Sequence, residues 1–560
     1  MTTTTATATT AVHTGLTSAT TEDRAAEYRR RGWWRDETFL DDLRRQAAKR
    51  PHKLAIAARR LADSRTDTLD YAELARLTDR FAGALIELGV RPGDFVAAQL
   101  PNRWEIVPLM FACMRVGAVI CPIAPVCRED ELRHRLALTE ATVCVTVPEW
   151  DGYPLAATVL ALKDELPLEH VVVLGGHAFA DAIDFHDHFV AVPHEKTYEG
   201  RLDGRELAPD DPFVVLFTSG TTGESKGVLH SQNTVHSGVR GYVDTFMLGD
   251  DLVATVTSPL VHYSGFGQGI LAGVMLGGTI AFQDATDNPG LLDLVERYRA
   301  TLLYGPPPTL TQVAAAQRTD PHDVSSLRHV VIGAAPVLQG LVDELRETLG
   351  ARTYSLWGMS EFGPVTITRL DYNQDWAAHS HGGPIDSMEI RIDNCNNPTQ
   401  RASVGRLRAR GASQALGYYK RQDVFAAELT GDGWFDTGDV AREDGRGGIR
   451  VLGRAKDAIM RDGIVLPMAE LEAVIAGHPK VTEAAIVGPT GHIDDPILAV
   501  VVPHGDTPPT LEELRTHLRD AGQDARFLPE RLEVTPALPK TLTGKVRKVE
   551  LRKLYATAAT

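Results

Sequence analysis

The stretch FVVLFTSGTTGESKGVLHS, residues 213–231, runs from apolar residues straight into a segment made almost wholly of Gly, Ser, Thr and one Lys. The apolar part, Phe213 to Phe217, is short and rich in Val and Phe and reads as a buried strand. The segment after it costs much conformational entropy to order, so it needs something to hold. Thr218, Ser219, Gly220, Thr221 and Thr222 offer backbone N–H groups and hydroxyls, and Lys226 adds a positive charge at the far end. Such a loop suits a polyphosphate: glycines let the backbone approach, amides and hydroxyls donate, and the ammonium neutralises. It is not the G-x-x-x-x-G-K-[ST] phosphate loop, because Ser225 precedes Lys226 and Gly227 follows it. A surface linker is the plainer alternative, but linkers seldom join a buried strand to so regular a pattern.

Other candidates carry little meaning one at a time. Glu361 is one acid among 74. Asp439 follows Gly438 in DTGD and alone reads as a turn residue. His262, beside Tyr263, alone reads as a satisfied core group. Lys545 lies in KVRKVELRK, which alone is a charged helix end. Their order along the chain is what matters, and that depends on the elements that carry them.

A chain of 560 residues, 43% hydrophobic, should build more than one domain with large cores. TLDYAELARLTDRFAGALIELGV sets Leu74, Leu77, Phe81, Leu85 and Leu88 at helical spacing, and GDFVAAQLP follows as a strand. LVERYRATLLYGPPP and LVDELRETLGARTYSLWG repeat helix then strand. That order predicts an α/β architecture: a large N-terminal domain of parallel-rich sheets with flanking helices. Near residue 453 the style changes to a short α+β segment, the size of a small separate domain. The expected division is a disordered tail over 1–22, a large domain over 23–453 and a small one over 454–560. The YRRRGWW cluster could suggest RNA contact, but beside acidic RDETFLDDL it reads as a helix end packing its tryptophans.

Charge excludes some classes. The chain has 58 Lys and Arg against 74 Asp and Glu, a net charge of −16, which argues against nucleic-acid binding. Its five cysteines are odd in number and lack C-x-x-C spacing, so a reducing cytoplasmic setting is expected, without a zinc or disulfide framework. VPLMFACMRVGAVICPIAPVC contains Arg115 and prolines and reads as buried helix–turn–strand rather than a membrane span. The Thr-rich N-terminus lacks a basic region followed by an apolar core, so no secretory signal is expected there.

TSGTTGESKG, SPLVHYSGF, YSLWGMSEFGP, GWFDTGDVA, GRAKDAIM and LPKTLTGKVRK occur in the order used by the adenylate-forming enzymes, and the chain resembles that superfamily from about residue 30 to 555. The superfamily includes acyl- and aryl-CoA synthetases, nonribosomal adenylation domains and luciferases. The style is most similar to aryl acid and cyclohexanecarboxylate CoA ligases. The resemblance implies that a carboxylate and ATP give an acyl adenylate and pyrophosphate, with Mg²⁺, in a monomer or homodimer, and that the small domain is mobile. It implies that Thr218, Ser219, Gly220, Thr221, Thr222 and Lys226 hold the β- and γ-phosphates. Glu361 would carry the metal, and Ser360 stands where the family usually has Thr. Trp357 takes the usual Tyr position stacking the adenine, followed by Gly358, with Gly333, Ala334, Ala335 and Pro336 on the other face. Asp439 would accept the ribose hydroxyls, with Arg454 as a second ribose contact. His262 would floor the acyl pocket, Lys456 would be the hinge, and Lys545 would bridge carboxylate and α-phosphate as charge shifts.

The departures lie in the second step. The family's Gly-Gly-Glu-Asn-Ile-Pro loop, which lines the thiol's path, reads DGIVLP here, Asp462 to Pro467. The later Asp-rich turn reads TGHIDDPILAV and lacks its usual Gly-Glu. CoA is the acceptor by family default. The alternatives are a carrier protein, an amine, or nitrite, as in the diazotase branch that activates nitrite for an amino-aryl acid. A non-enzymatic binder is disfavoured because Lys226, Glu361, Asp439, Arg454 and Lys545 are all present.

Overall fold

A computed structural model describes residues 21–555 apart from 176, 178, 219–224, 395–396, 462–463, 489–494 and 541–545. Of the tail expected over 1–22, residues 1–20 lie outside those described. Glu22 opens a helix, Glu22–Arg30, that Thr21 caps: the Thr21 hydroxyl accepts the Arg24 N–H, and Glu22 and Asp23 complement the positive helix end. The tryptophans after it do pack: Trp34 is buried and its indole N–H donates 2.8 Å to the Ala412 carbonyl.

Among the described residues, two large sheets dominate. One has nine strands, ordered Gly383–Pro384, Gly363–Ile367, Arg352–Met359, His329–Ile332, Leu302–Gly305, Val253–Val256, Thr279–Gln283, Leu54–Arg59 and Thr66–Asp70. The other has eight: Gly417–Tyr418, Gly227–Ser231, Pro212–Phe217, Val119–Ile123, Phe95–Gln99, Val143–Thr146, His170–Val173 and Ile183–Asp184. Their middles are parallel, because helices return the chain each time. Strands such as Phe95–Gln99 and Val119–Ile123 are buried along their whole length, as sheets covered on both faces require. The run from Val107 is buried helix (Ile106–Val116), a left-handed Gly117 and strand, as its sequence predicts.

Near one edge of each sheet the strands turn antiparallel, and there chemistry-bearing loops gather. Arg352–Met359 folds back onto Gly363–Ile367. Pro212–Phe217 folds back onto Gly227–Ser231, which Gly417–Tyr418 extends. A third, antiparallel sheet contains Val404–Gly411, Phe435–Glu443 and Ile449–Arg454.

The chain then forms a smaller α+β domain with its own core. Val481–Val487 pairs antiparallel with Leu498–Pro503, which pairs parallel with Arg531–Val534. Leu471 and Ile475 of the helix Met468–Ala476 pack with Ile486, Leu514 and Leu518. The buried Arg450 of the large domain meets Glu470 of that helix at 3.2 Å. No helix among the described residues is long and apolar enough to cross a membrane.

Candidate active site

The loop at 218–227 is clasped at its ends. The Thr218 N–H donates 3.0 Å to the Lys226 carbonyl, and the Lys226 N–H reaches the Thr218 hydroxyl at 3.4 Å. Ser219, Gly220, Thr221 and Thr222 lie outside the described residues. Gly227 is tightly fitted, since a Cβ there would stand 2.9 Å from Val215 Cγ1. Lys226 Nζ lies 4.6 Å from the centre of the Tyr418 ring, a cation–π distance.

Tyr418 links this loop to Glu361. Its hydroxyl donates 2.8 Å to Glu361 Oε1, and the Glu361 carbonyl accepts the Ala415 N–H at 2.8 Å. Glu361 is buried, and burial pushes its carboxyl above the usual range, while the Tyr418 hydrogen bond and the charges of Arg454 and Lys226 pull the other way. The preceding residue is fixed as well, because the Ser360 carbonyl lies 2.7 Å from His230 Nε2. His230 is fully enclosed and burial pushes its pKa down to about 4, so it is neutral and donates from Nε2. Gly358 is needed for the turn: a Cβ would fall 2.1 Å from the Gly363 carbonyl oxygen.

Asp439 is set by two adjacent strands. It pairs with Arg454 in the antiparallel register, and its Oδ1 lies 3.4 Å from Arg454 Nε. Its Oδ2 accepts the Trp357 indole N–H at 3.2 Å. The turn role in DTGD falls elsewhere: Asp436 Oδ1 accepts the Gly438 N–H at 3.0 Å, and Gly438 takes φ +74°. Arg454 also donates 2.9 Å to the Thr437 carbonyl. Thus Lys226, Glu361, Trp357, Asp439 and Arg454 are drawn together from three sheets.

Gly333–Pro336 and His262 stand on loops that follow parallel strands of the nine-stranded sheet, outside their carboxyl ends. Gly333–Pro336 follow His329–Ile332, whose neighbour is the strand bearing Trp357. A Cβ on Gly333 would meet the Tyr304 hydroxyl at 2.5 Å, and Ala334 takes a left-handed φ of 71° with its side chain exposed. His262 is half-buried in a tight turn, its N–H donating 3.0 Å to the Pro259 carbonyl. Its neighbour Tyr263 is a wedge: Cβ atoms on Gly238, Gly267 and Gly363 would lie 2.8, 2.9 and 2.2 Å from its ring or hydroxyl. Lys456 is exposed in the turn Ala455–Asp457, just after the strand carrying Arg454. Asp457 in that turn pairs with Arg552 of the last helix, Lys548–Tyr555. Lys545 and Asp462 lie outside the described residues. Val465 is buried with Val440 and Leu452, whereas Ile464 is exposed.

Reading residues in sequence misses Tyr418, His230 and Tyr263. Tyr418 had a faint signal, an aromatic pair after Gly417 in LGYYK. His230 had none.

The family model for the AMP-binding enzyme matches residues 43–419, and that for the AMP-binding enzyme C-terminal domain matches 470–545. The chain is 31% identical over 542 residues to triostin synthetase I of Streptomyces triostinicus, covering 96% of this chain and 98% of that one. It is 31% identical over 543 residues to a salicylyl-CoA synthase / salicylate adenylyltransferase of a Streptomyces species, covering 95% and 96%. Its fold matches the solved anthranilate CoA ligase AuaEII in complex with anthranoyl-AMP, with a TM-score of 0.81 at 22% identity over 94% of this chain and 98% of that one. The chain therefore belongs to the AMP-binding enzymes, the adenylate-forming ligases of the acyl-CoA synthetase type.

Proposed function

We propose that the protein activates a small aryl or cyclic carboxylic acid with ATP, forming the acyl adenylate and releasing pyrophosphate, then passes the acyl group to an acceptor. The observation that carries this reading is the linked set Lys226–Tyr418–Glu361 and Trp357–Asp439–Arg454. In this reading residues 218–226 hold the β- and γ-phosphates. Asp439 and Arg454 take the ribose, and the adenine sits between Trp357 and Gly333–Pro336. The acid's carboxylate attacks the α-phosphorus, the bond to the β,γ-pyrophosphate breaks, and Lys545 offsets the charge that shifts. His262 floors the acid pocket. The domains divide at 453/454, and Lys456 is the hinge between the half-reactions.

A magnesium ion fits Glu361, because a buried carboxylate whose burial disfavours its charge gains most from a nearby cation, and Mg²⁺ needs few protein ligands beside phosphate oxygens. When bound, it would neutralise phosphate charge.

CoA is the acceptor by family default, and transfer to it is the first reading. A second reading, a carrier protein, an amine or nitrite, draws on the exposed Ile464 in place of a polar loop residue. The four described cysteines are free and buried, which suits a reducing cytoplasm.

The test is product mass spectrometry after incubation with ATP, Mg²⁺ and a panel of aryl and amino-aryl acids, with CoA or nitrite added. Acyl adenylate and pyrophosphate from at least one acid are expected, and Lys545→Ala should cut adenylation about a hundred-fold while ATP affinity stays within a few-fold. Undiminished ATP–pyrophosphate exchange in that variant would remove Lys545 from its role.

A further inference from the structure

We propose that Glu87, His188 and His194 form a binding site for a borderline divalent cation, zinc above all, which staples the segment 186–197 to the helix Tyr71–Glu87. One ligand atom from each residue lies within 4.8 Å of the others. Glu87 ends that helix, His188 lies in a π-helical turn, His186–Ala191, and His194 opens the short helix His194–Thr197. Two imidazoles and a carboxylate are a donor set suited to zinc.

Hydrogen bonding prepares both rings. His188 Nε2 lies 3.2 Å from the Ala84 carbonyl oxygen, and His194 Nε2 lies 2.9 Å from the His188 carbonyl oxygen. A carbonyl only accepts, so each Nε2 carries the proton, and a neutral ring presents its Nδ1 lone pair. This backbone anchoring of the second nitrogen is how metal-ligating histidines are commonly oriented. His194 Nδ1 faces Glu87 Oε2 at 2.9 Å, so two acceptors meet unless a cation joins them. A proton would satisfy that pair alone. A metal ion would draw in His188, the third member of the group, as well.

The backbone is shaped to bring these groups close. Gly83 sits inside the helix, where glycine costs about 1 kcal/mol against alanine. A Cβ there would stand 2.8 Å from both the Cβ and the carbonyl oxygen of His194. The glycine thus admits His194 against the helix one turn before Glu87. Arg80, on the same helix, already holds the segment through Glu195 at 2.7 Å and the Val190 carbonyl at 2.6 Å. His194 is buried, His188 half-buried and Glu87 exposed, so the site has a buried floor and an open entrance.

The experiment uses the untagged full-length protein, stripped with chelator and titrated with Zn²⁺ against a chromogenic chelator, with Co²⁺ absorption as a second readout. We expect one tight equivalent, Co²⁺ bands of low coordination number, and a zinc-dependent rise in Tm. Glu87→Gln and His188→Ala should each weaken binding tenfold or more and abolish the Tm rise, with the metal-free circular dichroism unchanged. His177→Ala, in the neighbouring group of His177, Asp184 and Asp187, should leave binding as in the wild type. Equal zinc affinity in wild type, Glu87→Gln and His188→Ala would overturn the proposal, as would loss of the tight equivalent in His177→Ala.

Discussion

The Tyr418 hydroxyl donates a 2.8 Å hydrogen bond to the Glu361 carboxylate, joining the edge strand Gly417–Tyr418 of one large sheet to the turn between Arg352–Met359 and Gly363–Ile367 of the other. Tyr418→Phe removes a charge-assisted bond to a buried acid, and such bonds contribute about 1.5–3 kcal/mol. The Glu361 pKa, already raised by burial, should rise further. The acid limb of kcat/KM for ATP should move to higher pH, and activity at neutral pH should fall about tenfold or more. A pH–rate profile identical to wild type would remove Tyr418 from this role.

Glu361→Gln should separate stability from activity. Because burial raises the carboxyl's pKa, Glu361 favours the folded state below its unfolded value, and that contribution is lost as pH rises through the folded value. The glutamine variant escapes this loss. It should therefore melt above wild type at pH 8, with the difference shrinking as pH falls toward the ordinary carboxyl range. Pyrophosphate exchange should fall at least a hundred-fold. A variant less stable than wild type at pH 8 would contradict the expected sign.

Asp439→Ala should raise KM for ATP strongly while leaving the ranking of acid substrates unchanged. Trp357→Phe keeps an aromatic face but removes the indole N–H that Asp439 accepts at 3.2 Å. It should raise KM for ATP by a smaller factor, a few-fold. Steady-state kinetics with several acids checks both, and a changed acid preference at normal ATP affinity would misplace these residues.

The 462–467 loop is where the two acceptor readings part: CoA is the acceptor by family default, but this loop predicts a weak CoA step, with a small amine or nitrite doing better. Asp462 adds negative charge near an anionic cofactor's route in the family arrangement, and Ile464 and Val465 remove polar groups. Pyrophosphate release dependent on ATP and acid should proceed with little acceleration by CoA. Replacing DGIVLP by Gly-Gly-Glu-Asn-Ile-Pro should raise CoA activity without changing adenylation, at some loss of stability, since Val465 is buried beside Val440 and Leu452. Efficient thioester formation by the wild type at micromolar CoA would refute this.

Acid should destabilise the fold through enclosed histidines. Burial pushes His230 down to about 4, and His236 and His381 to about 3. Each binds its proton more readily unfolded, so its contribution is intact above about 6.5 and is lost as pH falls toward the folded value. Each costs about 1.4 kcal/mol per pH unit in that window. Melting temperature should drop steeply between pH 6 and 4, and His381→Gln should flatten the slope.

Sequence alone determined the local elements and the order of the motifs. The spacing of Leu74, Leu77, Phe81 and Leu85 specifies one buried helical face, and all four are buried. Apolar runs such as FVVLF specify strands covered on both sides, because period and burial are properties of neighbouring residues. The candidates at 218–226, 361, 439 and 454 were legible from ordered motifs. Tertiary structure alone decided which groups meet. Tyr418 reaches Glu361 across 57 positions, Trp357 reaches Asp439 across 82, and His230 reaches the Ser360 carbonyl across 130. No local pattern encodes such pairs, because they arise where antiparallel edges of separate sheets are packed together. The same holds for Gly83 and His194: a glycine inside a helix looks like a defect until the segment that packs on it is in place.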